Sequence, residues 1–106
     1  SLVGSEMCIE TALNKLAVKC LKTAIKRGKI GKHSSAKAII VAISAEWREL
    51  CNASEYRSMH IPKYSEQEEE AADVIIASLT YLQKIGCKDI EQLIKDKINF
   101  NAKRED

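Results

Sequence analysis

The distribution of helix-breaking residues constrains the fold of this chain most strongly. The 106 residues include one proline, Pro62, and four glycines, at positions 4, 28, 31 and 86. Between these positions apolar residues recur with the period of amphipathic helices, and no strand-like alternation competes with it. The sequence therefore predicts an all-α protein, a four-helix bundle that forms a single domain over residues 1–106.

Local signals mark where the predicted helices begin and end. Ser34 and Ser35 are both plausible N-caps for the second helix. Ser65 and Glu68 have the spacing of a capping box, and Gly86 is a typical helix-ending residue. Residues 1–6 are expected to be disordered or to be a remnant added to the natural chain. The four predicted helices run over about residues 6–27, 35–56, 65–86 and 89–101.

Composition and charge exclude some classes of protein. The net charge of +2 names no partner. The longest unbroken apolar run, residues 38–43, is far too short to span a membrane, and no signal peptide is visible. We therefore expect a cytoplasmic protein without a membrane partner. The cysteines form no CxxC pair, which favours reduced thiols over a zinc site. They are Cys8, Cys20, Cys51 and Cys87.

The second predicted helix places an acid in the middle of its apolar face. Ile39, Ile43 and Leu50 share one narrow stripe, and Glu46 occupies the remaining position of that stripe. Glu49 flanks it. A carboxylate there costs several kcal/mol unless it is paired or coordinated. Pairing with a lysine from another helix is the alternative to a ligand.

A second acidic pair, Glu70 and Asp73, lies in the third predicted helix and alone is typical of a solvated edge. Glu46 and Glu49 have the same spacing of three residues, which puts both members of a pair on one helix face. If the two helices pack antiparallel, four carboxylates converge, a donor set that suits Mg²⁺ or Mn²⁺. The glutamates that precede Glu70 are explained by the helix dipole at a helix start. They are Glu66, Glu68 and Glu69.

At these residues the sequence resembles the MazG-like family of all-α nucleoside triphosphate pyrophosphohydrolases. That family carries EExxE followed by ExxD; here the matching stretches are AEWRE, residues 45–49, and EAAD, residues 70–73. A basic residue, an asparagine four positions later and a further basic residue often end its last helix, as Lys97, Asn101 and Arg104 do here. Ala45 departs from the pattern. The resemblance covers about residues 35–104.

The resemblance implies Mg²⁺-dependent hydrolysis of an NTP or dNTP between its α and β phosphates, with Mn²⁺ as a substitute ion. It further implies that the bundle is completed by pairing of subunits, as a homodimer or homotetramer. The implied metal ligands are Glu46, Glu49, Glu70 and Asp73. The implied catalytic residues are Glu46 and Glu49, and the implied substrate contacts are Lys97, Asn101 and Arg104.

Two other classes of function stay open. The first predicted helix carries a lysine every three or four residues. Such a stripe is a solvated face, a phosphate-facing surface of the same enzyme or a nucleic-acid contact, and the solvated face is favoured because no aromatic residues accompany the lysines. A catalytically silent interaction domain would account for Ala45. Trp47 is assigned to the core or to a subunit contact, and His33 and His60 have no assigned partner. The lysines of the stripe are Lys15, Lys19, Lys22 and Lys26.

Overall fold

Four helices account for most of the chain. The computed structural model describes residues 9–31 and 33–105, and within these ranges it contains no β-sheet. This confirms the all-α class, whereas the expectation for residues 1–6 lies outside the described residues. None of the described helices is both long and apolar enough to cross a membrane. The helices are α1 (Ala12–Lys26), α2 (Ala36–Cys51), α3 (Glu66–Lys84) and α4 (Ile90–Ala102).

The bounds of α3 and the start of α4 follow the signals in the sequence. Ser65 Oγ accepts a hydrogen bond from the backbone N–H of Glu68 at 3.0 Å, and Glu68 Oε1 accepts one from the N–H of Ser65 at 2.9 Å. This is the predicted capping box. Gly86 follows α3 with a φ of 85°, a left-handed conformation that glycine adopts without strain. Asp89 caps α4 by accepting from the N–H of Gln92 at 3.1 Å.

The other two helices are shorter than predicted. α1 begins after Thr11, whose Oγ1 accepts a hydrogen bond from the N–H of Asn14. α2 ends well before Tyr56, because that segment bonds to the start of α3 instead. The N–H of Ser54 donates to Glu66 Oε1 at 2.6 Å, and the N–H of Glu66 donates to the carbonyl of Tyr56 at 2.7 Å. These contacts join distant residues, so helical periodicity could not reveal them.

Helix α3 is the centre of the arrangement. α1 and α2 each pack along it, and in the described part of the chain they do not pack against each other. The buried core joins Ala17 of α1, Leu79 of α3 and Ile90 of α4. A cleft therefore remains between α1 and α2, with α3 as its floor. Partly buried residues pack around this core: Leu13, Cys20, Leu82 and Cys87.

A buried asparagine fixes the start of α4 against α1. Asn14 donates from Nδ2 to the carbonyl of Ile9 at 3.0 Å and to Asp89 Oδ1 at 3.1 Å, and its Oδ1 accepts from the N–H of Glu91 at 3.0 Å. These bonds satisfy the polar atoms of a side chain that is only 7% exposed. After this contact α4 continues outwards, and residues 92–105 are exposed.

Candidate metal centre

The face of α2 that lies against α3 includes a carboxylate among apolar side chains. Ile39 is buried and Ile43 and Leu50 are partly buried, as the apolar stripe predicts. Glu46, between them, is also partly buried and lines the cleft. Glu49 lines the cleft one turn further on and is exposed. α2 therefore presents two acids to the cleft, of which one is withdrawn from solvent.

The acids of α3 are more buried than a solvated edge would be. Glu69, Glu70 and Asp73 are all partly buried, because α1 and α2 pack on either side of α3. This differs from the solvated edge that Glu70 and Asp73, taken alone, indicate in the sequence. Glu70 Oε1 is shielded from solvent and has no hydrogen-bond partner among the described residues. Leaving such an atom unsatisfied costs about 1–3 kcal/mol, and more if it is charged.

The carboxylates of the two helices converge in the cleft, as the two acidic pairs in the sequence suggested. Oxygen atoms of Glu46, Glu49 and Glu70 all lie within 4.8 Å of one another. Oxygen atoms of Glu69, Glu70 and Asp73 form a second set with the same limit. Glu70 belongs to both sets and so lies at the centre of this acidic cluster, the name used below for the five residues.

Burial and mutual repulsion raise the pKa of two members of the cluster. For Glu70 the main cause is burial, followed by repulsion from Asp73 and Glu49. For Glu46 it is again burial, followed by repulsion from Glu49 and Asp73, while the positive charge of Lys29 acts in the opposite direction. The charged form of the cluster is thus destabilised in the protein alone, and a bound cation would relieve this.

The loop before α3 holds one member of the cluster in place. Ser58 is 3% exposed, and its Oγ donates to Glu69 Oε1 at 2.6 Å. The same Oγ accepts from the N–H groups of His60 and Ile61. His60 Nδ1 lies 2.9 Å from Glu69 Oε2. The hydrogen bonds from Ser58 and His60 lower the pKa of Glu69, so this carboxylate is ionised and fixed in orientation.

Sequence reasoning missed this arrangement. It explained Glu69 by the helix dipole and gave His60 no partner. The signal is tertiary: an irregular loop must fold back before Ser58 and His60 can reach the first turn of α3. A serine and a histidine shortly before an acidic helix start are too common to indicate such a contact.

The donor set fits a hard divalent cation. Every available ligand atom in the cluster is a carboxylate oxygen, the ligand that Mg²⁺ and Mn²⁺ prefer. Glu70 Oε1 is buried, and no described residue of the protein supplies it with a hydrogen-bond partner. A cation bound by Glu70 together with Glu46 and Glu49, or with Glu69 and Asp73, would satisfy that atom and screen the repulsion.

The cluster lies in a cleft of about 840 Å³ that also has a basic side. Three basic residues line the cleft together with the acids: Lys19 in the middle of α1, Arg27 at its C-cap and Lys29 just after it. Apolar residues from all three helices complete the lining, among them Leu16, Ile39 and Ile76. Carboxylates, cations and an apolar surface thus share one space of a size that accommodates a small molecule.

The three residues that the resemblance assigned to substrate lie elsewhere. Lys97, Asn101 and Arg104 are exposed on or just after α4 and do not line this cleft. α4 packs on α1 and α3 and not on α2. Lys97 Nζ lies 4.6 Å from the centre of the Phe100 ring, and the Arg104 guanidinium lies 5.9 Å from it. A single chain therefore does not bring these residues to the acidic cluster.

The structure also shows the exposure of Ala45 and Trp47 and the state of three cysteines. Ala45, the departure from EExxE, is exposed and outside the cleft. Trp47 is 58% exposed, so it is not a core residue. Cys20, Cys51 and Cys87 carry free thiols, and Cys8 lies outside the described residues.

Comparison of the chain with protein-family models, with curated proteins and with solved structures gives no match.

Proposed function

We propose that this protein is a cytoplasmic Mg²⁺-dependent nucleoside triphosphate pyrophosphohydrolase, which converts an NTP or dNTP into the monophosphate and pyrophosphate. The observation that supports it most is the convergence of four predicted ligands, Glu46, Glu49, Glu70 and Asp73, on one cleft around an unpartnered buried oxygen. The resemblance to the MazG-like family supplies the reaction. Mn²⁺ is the expected substitute ion.

The chemistry of the cleft is consistent with this reaction. A bound divalent ion supplies neutralisation of phosphate charge, without which a triphosphate could not approach five carboxylates. Glu46, Glu70 and Asp73 are the less exposed of the four proposed ligands and would hold the ion. Glu49 is the most accessible of the proposed ligands, and we therefore assign it to orient or deprotonate the water that adds across the α–β phosphoanhydride bond.

Pairing with a second copy of the chain is part of the proposal. Among the described residues only five apolar side chains are buried, while large apolar residues are exposed on α2. Ile40 and Trp47 share one stripe of the helix and are 49% and 58% exposed, and the neighbouring Val41 is 64% exposed. Exposed apolar surface of this kind is typical of a subunit contact. Lys97, Asn101 and Arg104 stay proposed substrate contacts only in an assembly that brings them to the cleft.

Solution mass tests the pairing. We expect light scattering behind size-exclusion chromatography to give the mass of a dimer or tetramer. Trp47→Asp places a charge in the apolar stripe and should shift the population towards the monomer. A wild-type protein that is monomeric at all concentrations tested would contradict the pairing.

Product analysis tests the reaction. The protein should be incubated with each NTP and dNTP in the presence of Mg²⁺, and nucleotides separated by chromatography. We expect at least one substrate to give monophosphate and pyrophosphate in equal amounts, with no activity in EDTA. Diphosphate and orthophosphate as products, or no product from any substrate, would contradict the proposal.

A matched pair of variants ties the activity to the cluster. Glu46→Gln keeps the shape of the side chain and removes a charge from the cleft, so we expect turnover to fall at least a hundredfold while the helical circular dichroism spectrum persists. Glu55→Gln removes the same charge from an exposed loop position outside the cleft and should leave turnover unchanged. Equal activity of the two variants would show that Glu46 is not a ligand.

A further inference from the structure

The end of α1 is built to present basic side chains to the cleft. After α1, Gly28 adopts a φ of 74°, with no atom near enough to exclude a Cβ, so its backbone conformation is what requires glycine. The N–H of Lys29 then donates to the carbonyl of Ala24 at 3.0 Å. Ile30 follows and is 8% exposed. This reversal fixes the backbone of Arg27 and Lys29 beside the cleft.

The basic side chains that line the cleft do not form ion pairs with the acids that line it. Lys19, Arg27 and Lys29 are exposed, and none of them forms an ion pair with another described residue. Lys29 is nevertheless close enough to Glu46 for its charge to act on that carboxylate. The three residues, called the basic rim below, can therefore bind an anion without first breaking a salt bridge.

Not every lysine of the stripe on α1 lines the cleft. Lys22 and Lys26 belong to the same lysine stripe and carry the same charge, but they do not line the cleft. The stripe therefore divides into residues that face the acids and residues that face solvent. All three lysines are exposed, as a solvated face predicts, but Lys19 in addition lines the cleft.

The position of the rim opposite the acidic cluster indicates which anion it takes. A simple anion would be repelled by five carboxylates in the same cleft. A polyphosphate that carries a divalent ion is attracted to both sides, with its ion on the acids and its outer oxygens on the basic residues. Lysine and arginine are the side chains that bind phosphate oxygens through charged hydrogen bonds.

We infer that Lys19, Arg27 and Lys29 form the polyphosphate-binding side of the cleft, in which the phosphates of the substrate lie between this basic rim and the acidic cluster. The inference rests on the proposed function and extends it, because it assigns the phosphate contacts to the same chain that carries the acids. Lys97 and Arg104 are then not required for binding the phosphates. Lys29 is the residue chosen for the test, because it lines the cleft with Glu46 and its charge acts on that carboxylate.

Steady-state kinetics on matched lysine variants test the inference. Lys29→Ala should raise KM for the nucleoside triphosphate at saturating Mg²⁺ by about tenfold or more, the effect of losing a charged hydrogen bond. Lys26→Ala removes the same charge three residues away, outside the cleft, and should change KM by about twofold at most. Lys29→Arg should restore most of the affinity. Equal KM values for Lys29→Ala and Lys26→Ala would overturn the inference and leave the proposed function intact.

A binding measurement separates this inference from the proposed reaction. Calorimetric titration with inorganic tripolyphosphate and Mg²⁺ needs no turnover, and we expect Lys29→Ala to weaken binding about tenfold relative to Lys26→Ala. If no nucleotide is hydrolysed but this difference is found, the reaction is wrong and the polyphosphate site stands. If the wild-type protein binds no tripolyphosphate in the presence of Mg²⁺, the polyphosphate site is overturned.

Discussion

Replacing Glu70 by glutamine should have opposite effects on stability in the absence and presence of Mg²⁺. Without metal, the variant removes a charge from the centre of the acidic cluster, where Oε1 is buried and unpartnered. The glutamine amide can donate to the neighbouring carboxylates of Glu46 or Glu49, so repulsion is replaced by a hydrogen bond. With metal, the variant lacks the ligand shared by both sets of acids and should gain little from the ion.

The size of both effects can be estimated. An unsatisfied buried polar atom costs about 1–3 kcal/mol, so the metal-free variant should gain at least about 1 kcal/mol. For a domain of this size, that corresponds to a rise in melting temperature of about 4–8 °C. A ligand at about one hundred times its dissociation constant stabilises a folded protein by about 2.7 kcal/mol. At that concentration of Mg²⁺ the wild-type protein should therefore gain about 2.7 kcal/mol, whereas the variant should gain little from the ion.

The pH dependence has a definite sign. The pKa values of Glu46 and Glu70 are raised above their ordinary value of 4.5. Between the ordinary and the raised pKa, the folded protein binds more protons than the unfolded chain, so the stability of the metal-free protein falls as the pH rises through that interval. The stabilising effect of Glu70→Gln should accordingly be largest near pH 7 and shrink towards pH 4.5.

Differential scanning fluorimetry with and without Mg²⁺, at several pH values, measures all of these effects. Glu55→Gln is the control, because Glu55 is exposed and lies outside the cleft. Its melting temperature and its response to Mg²⁺ should match the wild type. The reasoning is refuted if Glu70→Gln lowers the melting temperature of the metal-free protein, or if NaCl at matched ionic strength reproduces the Mg²⁺ shift in the wild type.

The remaining predictions concern the stability of the protein. Ser58→Ala should destabilise the protein by about 1–3 kcal/mol in denaturant unfolding, because it leaves two loop N–H groups and Glu69 Oε1 without their partner. Ser44→Ala on the exposed face of α2 should be neutral. An equal effect of both would refute the loop contact. Gly86→Ala forces a Cβ into a left-handed conformation and should lower stability by about 1–2 kcal/mol, while Gly31→Ala, with ordinary φ, should change it by less than about 1 kcal/mol. Equal stability of these two variants would contradict the role of Gly86.

Local signals in the sequence were sufficient to predict the bounds of α3 and the start of α4. Ser65, Glu68, Gly86 and Asp89 act through contacts within a few residues, so the start and end of α3 and the start of α4 could be read directly. The end of α2 could not be predicted in this way. It depends on Glu66, which bonds to a segment far earlier in the chain.

The candidate site was likewise predictable where it depends on local spacing, and not where it depends on how separate elements pack. The spacing of Glu46 within an apolar stripe predicted a carboxylate turned towards the core, and the acids of α3 were expected to meet it. Spacing could not show that Glu69 is fixed by the loop, nor that Lys19 faces the cleft, since both depend on how separate elements pack. The resemblance, and not spacing, assigned Lys97 to the substrate, and in one chain that residue lies outside the cleft.

The central claim is that the acidic cluster binds a divalent metal ion, and Mn²⁺ tests it most directly. Titration of the protein with Mn²⁺, followed by the loss of the electron paramagnetic resonance signal of the free ion, measures the number of bound ions and their affinity. We expect saturable binding to the wild-type protein, competition by Mg²⁺, and loss of that binding in Glu70→Gln but not in Glu55→Gln. Absence of saturable binding in the wild type, or binding of equal affinity in Glu70→Gln, would contradict the account.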